Sequence, residues 1–249
     1  AMSMKLLGNH FDIHTGGEDL SRVHHANEIA QSEPITGAPW VNTWLHYSFL
    51  LDKSGEKMAK SKGEFLGLES FRSRGYDPMV YRYFVALGHY QSQLAFSWET
   101  MDASAKGYAN LVRRVADLLS SDGQDINQGL YDKWHDDMLN AISDNLKTAS
   151  VLVMFQEIIK SAEIDNATKL ALTVFVDDLL GLQFIDHAKK LVALEQVSAP
   201  AEIVALAERR VTAKANRDWA TADALRAEIE SAGWTVLDGK DGYKIVKRA

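Results

Sequence analysis

The residues best suited to chemistry lie in a lysine-rich stretch, residues 49–63. Its apolar beginning, residues 49–51, predicts a short buried strand, which the turn-forming residues 52–55 then end. We call residues 52–63 the lysine loop because, besides Lys53 in the turn, they carry three closely spaced lysines: Lys57, Lys60 and Lys62. Lysine is a compact charge with three donors on a mobile stem, so several on one loop can follow a phosphate group as its charge redistributes during transfer. By itself the pattern fits either a phosphate-binding loop or a solvated basic loop.

Histidines form a second concentration of reactive groups near the N-terminus. Five of the eight fall in the first 46 residues, which gathers titratable and metal-ligating groups there: His10, His14, His24, His25 and His46. His24 and Glu28 are four residues apart in a segment of helical composition, 21–31, so we expect them to share one helix face. An imidazole and a carboxylate at that spacing can ligate Zn²⁺, but two ligands do not complete a tetrahedral site. Either an ordinary polar pair or a partial zinc site fits this spacing.

Two predicted strands would position these groups. The first, residues 11–14, runs into Gly16 and Gly17, and glycines directly after a strand let the backbone approach a ligand closely. Such a turn is where open α/β sheets place their ligands. The second strand, within residues 41–51, feeds the lysine loop and carries Trp44 and His46 on the same alternation. Residues 34–39, bounded by prolines, predict a loop between the two strands.

The pattern becomes helical after residue 69. Pro78 suits a helix start, and residues 88–94 predict a loop. The predicted helical segments are 79–87, 98–119, 131–160 (one or two helices), 165–182, 201–215 and 218–232. We expect residues 98–195 to form an antiparallel bundle with its apolar stripes in the core. Residues 197–200 predict a linker, and the alternating segments 234–238 and 243–247 predict a hairpin around the turn 239–242.

Composition and charge limit the classes of function. With no cysteine, this sequence has no disulfide, no thiolate nucleophile and no cysteine-ligated metal. No stretch reaches the ~18 to 20 apolar residues of a membrane span and no signal-peptide pattern appears, so we expect a cytoplasmic protein. The net charge of −7 is concentrated in residues 121–195, with 13 acidic and 6 basic residues, whereas residues 196–249 have 8 acidic and 9 basic. We therefore expect the acidic middle to face away from a polyanionic partner and the ends to face toward it.

Several motifs together resemble the cysteinyl-tRNA synthetase family, a class I aminoacyl-tRNA synthetase family, over essentially the whole chain. Lys57-Met-Ala-Lys-Ser61 resembles the class signature loop, with Ala59 where the family usually has Ser. The stretch from Phe11-Asp-Ile-His-Thr-Gly-Gly through His24-His25-Ala-Asn-Glu28 is similar to the hallmark between the two halves of the nucleotide-binding fold. Three further segments are similar in the same order: 88–97, 138–148 and 218–226.

The resemblance implies an α/β plus mainly α fold, namely the second half of a Rossmann-type catalytic domain, then an antiparallel helical bundle and a small α+β C-terminal anticodon-binding subdomain. It implies four divisions of the chain: residues 1–68 as the catalytic half with the lysine loop, 69–97 as a connective, stem-contact segment, 98–197 as the bundle and 198–249 as the anticodon-binding subdomain.

Roles follow for individual residues by the same resemblance. Lys57 and Lys60 would be catalytic and would hold the ATP phosphates. The pocket for ATP and the amino acid would be lined by His14, Gly16, Gly17 and Asp19. The zinc ligands would be His24 and Glu28, next to Arg22 and Val23, where the family often has an apolar residue and proline. Contacts to the tRNA anticodon would come from Trp219, Asp223, Arg226 and Asp238, with Lys214 where the family commonly has Arg.

The resemblance also implies parts that this sequence does not contain. The family begins with a first Rossmann half carrying a His-x-Gly-His signature for ATP and one zinc-ligating cysteine, and a second zinc-ligating cysteine lies just before the point where this sequence opens. We therefore expect the back half of a synthetase, either truncated or naturally dependent on a separate N-terminal half, and inactive alone. The implied reaction is that of a cysteine–tRNA ligase, which activates cysteine with ATP (Mg²⁺), uses Zn²⁺ and transfers cysteine to tRNA(Cys).

Two alternatives remain. One is a non-catalytic tRNA-binding module or accessory protein derived from a synthetase. The other is a cysteine ligase of small-molecule biosynthesis, which shares the catalytic core but would not need the segment 219–226. If Trp219 were simply a buried core residue of a small subdomain, it would not contact RNA.

Overall fold

The computed structural model describes residues 2–58, 67–120, 125–239 and 242–247. These residues are mostly helical, with three small two-stranded sheets. The helices are α1 Met2–Leu7, α2 His24–Thr36, α3 Leu68–Arg72, α4 Pro78–Ala86, α5 Trp98–Leu119, α6 Gln128–Ser143, α7 Thr148–Lys160, α8 Asn166–Leu180, α9 Phe184–Glu195, α10 Ala201–Ala215 and α11 Trp219–Ser231. The strands are β1 Phe11–Gly17, β2 Val41–Tyr47, β3 Leu50–Leu51, β4 Leu94–Ala95, β5 Trp234–Gly239 and β6 Gly242–Lys247.

The chain divides into two compact units. The first contains the described residues within 1–111 and 124–182, and the second those within 112–123 and 183–249. Helix α5 contributes residues to both units. In the described part of the chain, no helix combines the length and the hydropathy needed to cross a bilayer.

A β1–α2–β2 crossover opens the first unit. β1 and β2 pair in parallel, with His14 opposite Trp44 and Gly16 opposite His46. Parallel strands need a long crossover connection, and here α2 supplies it. The predicted loop at 34–39 is partly wrong, because α2 continues through Pro34 and ends only where Gly37 adopts a left-handed φ of 67°. The Gly37 N–H then donates to the Glu33 carbonyl, which caps the helix.

The lysine loop leaves the short strand β3. β3 pairs in parallel with β4, which lies partly in the segment 88–94 that the sequence predicted as loop. Asp52 fixes the turn, because its carboxylate accepts hydrogen bonds from the backbone N–H groups of Ser54 (2.8 Å) and Glu56 (3.0 Å). The chain then returns along β3 through an antiparallel bridge between Leu51 and Lys57. This return sets the direction of the Lys57 side chain.

Helices α6, α7 and α8 build the main core of the first unit by packing on one another. Three helices here agree with the sequence pattern, and α5 has the predicted bounds. The largest fully buried side chains of these helices are Met138, Leu152, Phe155, Ile158 and Leu172. Asp165 and Asn127 cap α8 and α6 through side-chain oxygens, as their residue types favour.

The second unit ends in the predicted helix pair and hairpin. α10 and α11 pack together, and β5 pairs antiparallel with β6, with Asp238 opposite Tyr243. Asp218 caps α11 by accepting from the Thr221 N–H. A small core holds these elements together: Ile203, Ala207, Ile229, Trp234 and Val236.

Candidate functional site

The carboxyl end of β1 brings several candidate residues together. Gly16 and Gly17 are both buried at this end. A Cβ on Gly16 would lie 2.5 Å from His25 Cε1, and a Cβ on Gly17 would lie 2.6 Å from Asp19 Oδ1. Side chains larger than hydrogen therefore cannot fit without displacing these neighbours. The two glycines let an imidazole and a carboxylate approach the strand backbone.

Four histidines and one carboxylate lie beside these glycines, and we call them the histidine cluster: His14, His24, His25, His46 and Glu28. His14 Nε2 lies 2.8 Å from Glu28 Oε2, and His24 Nε2 lies 3.3 Å from Glu28 Oε1. His25 Nδ1 lies 2.7 Å from His46 Nε2. The ligand atoms of His14, His25 and Glu28 all lie within 4.8 Å of one another, which makes them the candidate metal-holding group among the described residues.

Burial and neighbouring charges favour the neutral imidazole form of His25. Burial lowers the pKa of His25 below its ordinary value, and the nearby His14 and His46 lower it further, against the opposing effect of Glu28. A neutral ring keeps a nitrogen lone pair, which is the form that binds metal ions or accepts a hydrogen bond. His25 is thus favoured in the form that can bind a metal ion or accept a hydrogen bond.

Tryptophans hold one side of the cluster. The Trp44 ring stacks on His14, with ring centroids 4.8 Å apart and an angle of 25° between the planes. Trp40 is buried and meets His14 edge-on, at 5.7 Å between centroids. Among the described residues, the Trp40 indole Nε1 is buried and has no hydrogen-bond partner. The two rings restrict the orientation of His14.

Lys57 reaches the same end of β1 from the lysine loop. Its Nζ donates to Asp19 Oδ2 at 3.1 Å and lies 3.6 Å from the centroid of the Phe49 ring. Lys57 and Asp19 side chains are each about half exposed, 50% and 53%. An exposed ion pair is weak, so Lys57 can exchange this carboxylate for a more highly charged anion such as a phosphate.

A second group of polar side chains lies in the second unit, around Asp238. Arg210 donates to both carboxylate oxygens of Asp238, at 2.9 and 3.0 Å, and Lys214 Nζ lies 2.9 Å from Oδ2. These hydrogen bonds, first from Arg210 and then from Lys214, hold the pKa of Asp238 well below its usual range. Asp223 is close enough to help raise the pKa of Arg210, after the larger contribution of Asp238.

An exposed tryptophan begins α11. Trp219 is 60% exposed, whereas Trp234 fills the core of this unit. The interpretation of Trp219 as a core residue is therefore wrong. Asp223 is also exposed, and Arg226 donates to Glu230 at 3.0 Å. An exposed ring near charged and hydrogen-bonding groups matches what single-stranded base recognition requires.

Comparison with known proteins shows which proteins this chain is similar to. Residues 1–106 match the family model of the tRNA synthetases class I (C) catalytic domain. A cysteine–tRNA ligase from Treponema denticola is 37% identical, covering 98% of this chain and 54% of that protein. One from Novosphingobium aromaticivorans is 35% identical, covering 96% of this chain and 51% of that protein.

The chain is a relative of the cysteine–tRNA ligases. The resemblance drawn from its motifs is confirmed, and the chain spans about half the length of the curated relatives it matches. A LeuRS from Agrobacterium radiobacter K84, solved in a ternary complex with tRNA and LeuAMS, is 11% identical with a TM-score of 0.50. The match covers 76% of this chain and 28% of that one, and it concerns the fold alone.

In this relative of the cysteine–tRNA ligases, the structure brings together the two residues expected to bind zinc, His24 and Glu28, and most of the residues expected to line the pocket. Gly16, Gly17, Asp19 and Lys57 converge, and His14 lies beside them in the histidine cluster. Lys60 lies outside the described residues.

The structure also identifies site residues to which the sequence analysis gave no role. His25, which the sequence analysis named only among the N-terminal histidines and in the family motif, is the most buried histidine of the cluster at 2% exposure. His46 supports it through the contact between His25 Nδ1 and His46 Nε2, which depends on how α2 packs beside β2. Arg210 was missed entirely. Its spacing of four residues from Lys214 on α10 was the available signal, since it places both cations on one helix face.

Proposed function

We propose that this chain supplies the lysine loop, the metal-binding residues and the anticodon-binding part of a cysteine–tRNA ligase. The whole reaction would activate cysteine with ATP and transfer it to tRNA(Cys). The observation that carries the proposal is the convergence of Gly17, Asp19 and Lys57 beside the histidine cluster at the carboxyl end of β1. Ligands of open α/β sheets bind at this edge.

Lys57 would contact the ATP phosphates. Its anchoring to β3 through Leu51 points the ammonium group toward β1, where it lies against Asp19. An arriving triphosphate with Mg²⁺ would compete with Asp19 for Lys57, and the ammonium would then follow the developing charge during adenylate formation. Lys60 would act with it, by the family resemblance. His14, Gly16 and Gly17 would line the pocket for ATP and the amino acid.

The donor set of the histidine cluster fits a zinc ion. Imidazole nitrogens and a carboxylate oxygen are accepted zinc ligands, and three of them already lie within 4.8 Å of one another. A zinc ion bound there would hold the thiolate of the substrate cysteine. His24 and Glu28 are the ligands implied by the family resemblance, and Glu28 contacts both His24 and His14.

The second unit would bind the tRNA anticodon. Trp219 offers an exposed ring for stacking, and Asp223, Arg226 and Asp238 offer edge hydrogen bonds. Because α11 packs on β5 and α10 packs on α11, these residues belong to one small assembly. We place this anticodon-binding subdomain at residues 198–249, after a bundle at 98–197, a connecting segment at 69–97 and the catalytic half at 1–68. The cytoplasm is the expected location.

The test is cysteine-dependent exchange of pyrophosphate into ATP. We expect no exchange by the chain alone, because the proposed site lacks the ATP signature of the family's first catalytic half. Mixing with a polypeptide that carries this first half should restore exchange. Lys57→Ala should then abolish it, while Lys53→Ala should not, because Lys53 in the same loop pairs with Glu99 at 2.8 Å.

Two outcomes would contradict the proposal. One is exchange above background by the chain alone, and the other is no exchange after mixing although the two polypeptides bind each other. In the second case, tRNA binding by the exposed Trp219 surface without catalysis becomes the better account. The compactness of the second unit favours that alternative, because it could bind RNA independently of the β1 site.

A further inference from the structure

The turn between α6 and α7 contains two adjacent residues in the left-handed region, Asn145 (φ 58°) and Leu146 (φ 53°). Four of the described residues other than glycine have a positive φ, and these two are the pair that are neighbours. Asparagine visits this region more readily than most residues, whereas a bulky residue such as leucine is strained there. Such strain persists only where surrounding contacts hold the backbone in place. The contacts that hold this turn come from elsewhere in the chain.

Asn145 bonds to three successive residues that lie 54 to 56 positions away in the sequence. Its side-chain Oδ1 accepts from the Tyr90 hydroxyl at 2.6 Å, and its Nδ2 donates to Gln91 Oε1 at 3.0 Å. Its backbone carbonyl accepts from His89 Nε2 at 2.8 Å. Since a carbonyl oxygen can only accept, this nitrogen carries the proton, and His89 Nδ1 accepts from the Gln91 backbone N–H at 3.2 Å. Both polar atoms of the Asn145 side chain thus have partners in one loop.

Thr148, the first residue of α7, holds the start of the same loop. Its hydroxyl donates to the carbonyl of Ala86, the last residue of α4, at 2.9 Å. The same oxygen lies 3.4 Å from the carbonyl of Gly88. The turn and the first residue of α7 therefore hold residues 86–91 at both ends.

Tyr90 also connects this loop to the strand that precedes the lysine loop. Its carbonyl oxygen accepts from the Ser48 backbone N–H at 2.8 Å, two residues before β3 begins. After the loop, β4 pairs with β3, and the Phe96 N–H donates to the Leu51 carbonyl at 2.8 Å. Leu51 in turn forms the bridge to Lys57. The loop that Asn145 holds therefore supports the strand from which the Lys57 side chain is directed.

A local role in the turn does not account for these partners. An asparagine that only closes a turn bonds to backbone groups a few residues away. Asn145 uses both of its side-chain groups on Tyr90 and Gln91 instead. The turn is therefore built to hold the loop as well as to join two helices.

We propose that Asn145 is a positioning residue for the lysine loop. By holding Tyr90, it fixes β3 and keeps Lys57 directed at the carboxyl end of β1. The inference rests on the proposed contact of Lys57 with the ATP phosphates. It gives a part in the reaction to a turn that lies beyond residues 1–106, the segment that matches the catalytic-domain model.

Hydrogen–deuterium exchange of the full chain, read by mass spectrometry, tests the inference without catalysis. The variant is Asn145→Gly, because glycine adopts the left-handed φ without strain and removes only the side-chain contacts. Losing one net hydrogen bond should speed local opening roughly 2 to 12-fold, so losing two should speed hydrogen exchange in residues 48–58 by roughly 5 to 100-fold. Peptides from α7 should keep their protection, because its buried side chains are unchanged.

Three further variants separate positioning from general loosening. Tyr90→Phe removes one hydrogen bond and should speed hydrogen exchange in residues 48–58 by roughly 2 to 12-fold. Asn145→Asp should stay within about threefold of the unchanged chain, because aspartate keeps the acceptor for Tyr90 and Gln91 can turn its amide to donate. Arg217→Gly should leave residues 48–58 unchanged, because Arg217 occupies another left-handed position, φ 59°, in the second unit.

Catalysis gives a second readout in the mixture that restores pyrophosphate exchange. Asn145→Gly should lower kcat by roughly fivefold or more, because Lys57 is then less often in place when charge develops on the phosphates. KM for cysteine should change by less than about twofold, because the substitution removes no contact to that substrate. Asn145→Asp should restore most of kcat.

Two results would overturn the inference. One is hydrogen exchange in residues 48–58 that Asn145→Gly leaves unchanged, and the other is exchange that rises equally in α7, which would show a general loosening of the fold. Either result leaves the ligase proposal intact if the unchanged chain still restores pyrophosphate exchange on mixing. Conversely, failure of pyrophosphate exchange on mixing would refute the ligase proposal, while faster hydrogen exchange confined to residues 48–58 and the 86–91 loop would still support the positioning by Asn145.

Discussion

Replacing Asp238 by asparagine tests the ion pair that fastens the hairpin to α10. The Arg210 side chain is 6% exposed, and it donates from two nitrogens to the two oxygens of Asp238. Asparagine keeps one acceptor oxygen but presents an NH₂ group in place of the second. One Arg210 donor then faces another donor, and the buried guanidinium loses its counter-charge.

The expected loss of stability is about 2 kcal/mol. Removing one partner of a buried charge pair costs about 3 to 5 kcal/mol. Asp238 is itself 45% exposed, so water can replace part of its contact and the loss is smaller. The contact from Lys214, whose side chain is 34% exposed, adds little for the same reason.

The difference between the two proteins should also depend on pH. Because Arg210 and Lys214 hold the pKa of Asp238 below its ordinary value, the ion pair stabilises the folded state fully above the unfolded value of about 3.9. That stabilisation is lost as the pH falls from about 4 toward the lowered pKa of the folded state. We therefore expect a constant difference between pH 8 and 5 that shrinks below about pH 4.

Urea unfolding followed by tryptophan fluorescence measures the loss of stability and its dependence on pH, since Trp234 is buried in the same unit. The matched control is Glu230→Gln. It removes the ion pair between Arg226, whose side chain is 53% exposed, and Glu230, whose side chain is 35% exposed. We expect this to change the free energy of unfolding by less than about 0.5 kcal/mol. If Asp238→Asn is as stable as this control, or if its effect is unchanged at pH 3, the account of the pair is wrong.

Two further predictions concern packing. Gly16→Ala should displace His25, because the added Cβ would lie 2.5 Å from its Cε1, and we expect a loss of about 1 to 3 kcal/mol in urea unfolding. Gly129→Ala, whose Cβ meets nothing nearer than 3.6 Å, should be neutral or stabilising, and an equal loss there would contradict this. Leu152→Ala should cost about 2 to 5 kcal/mol in urea unfolding because Leu152 is fully buried, whereas the neighbouring Val153→Ala, 56% exposed, should cost less than about 0.5.

Local sequence patterns predicted most helices and strands. They could not predict contacts between residues far apart in the sequence. The bounds of α5 follow from apolar periodicity within one segment. Pro34 misled the prediction because the helix ends at a left-handed Gly37 rather than before the proline. Composition likewise cannot say which of Trp219 and Trp234 is buried, because that depends on how α11 packs on β5.

The same limit applies to the candidate site. Spacing placed His24 and Glu28 on one helix face, and they do approach each other. The contact of Glu28 with His14 depends on how α2 packs beside β1, and that of His25 with His46 depends on α2 and β2. Arg210 and Asp238, 28 residues apart, meet only because the hairpin folds onto α10. Sequence reasoning identified the residue types and left the partners open.

A titration of tRNA against this chain, read by fluorescence anisotropy at fixed salt, tests the central claim most directly. We expect preference for tRNA(Cys) over a tRNA with a changed anticodon. Trp219→Ala should weaken binding to tRNA(Cys) by roughly 5 to 150-fold, because a base stacked on an aromatic ring contributes about 1 to 3 kcal/mol, and Trp219→Phe should retain most of the affinity. If Trp219→Ala keeps its circular dichroism spectrum and binds both tRNAs as tightly as the unchanged chain, the claim is contradicted.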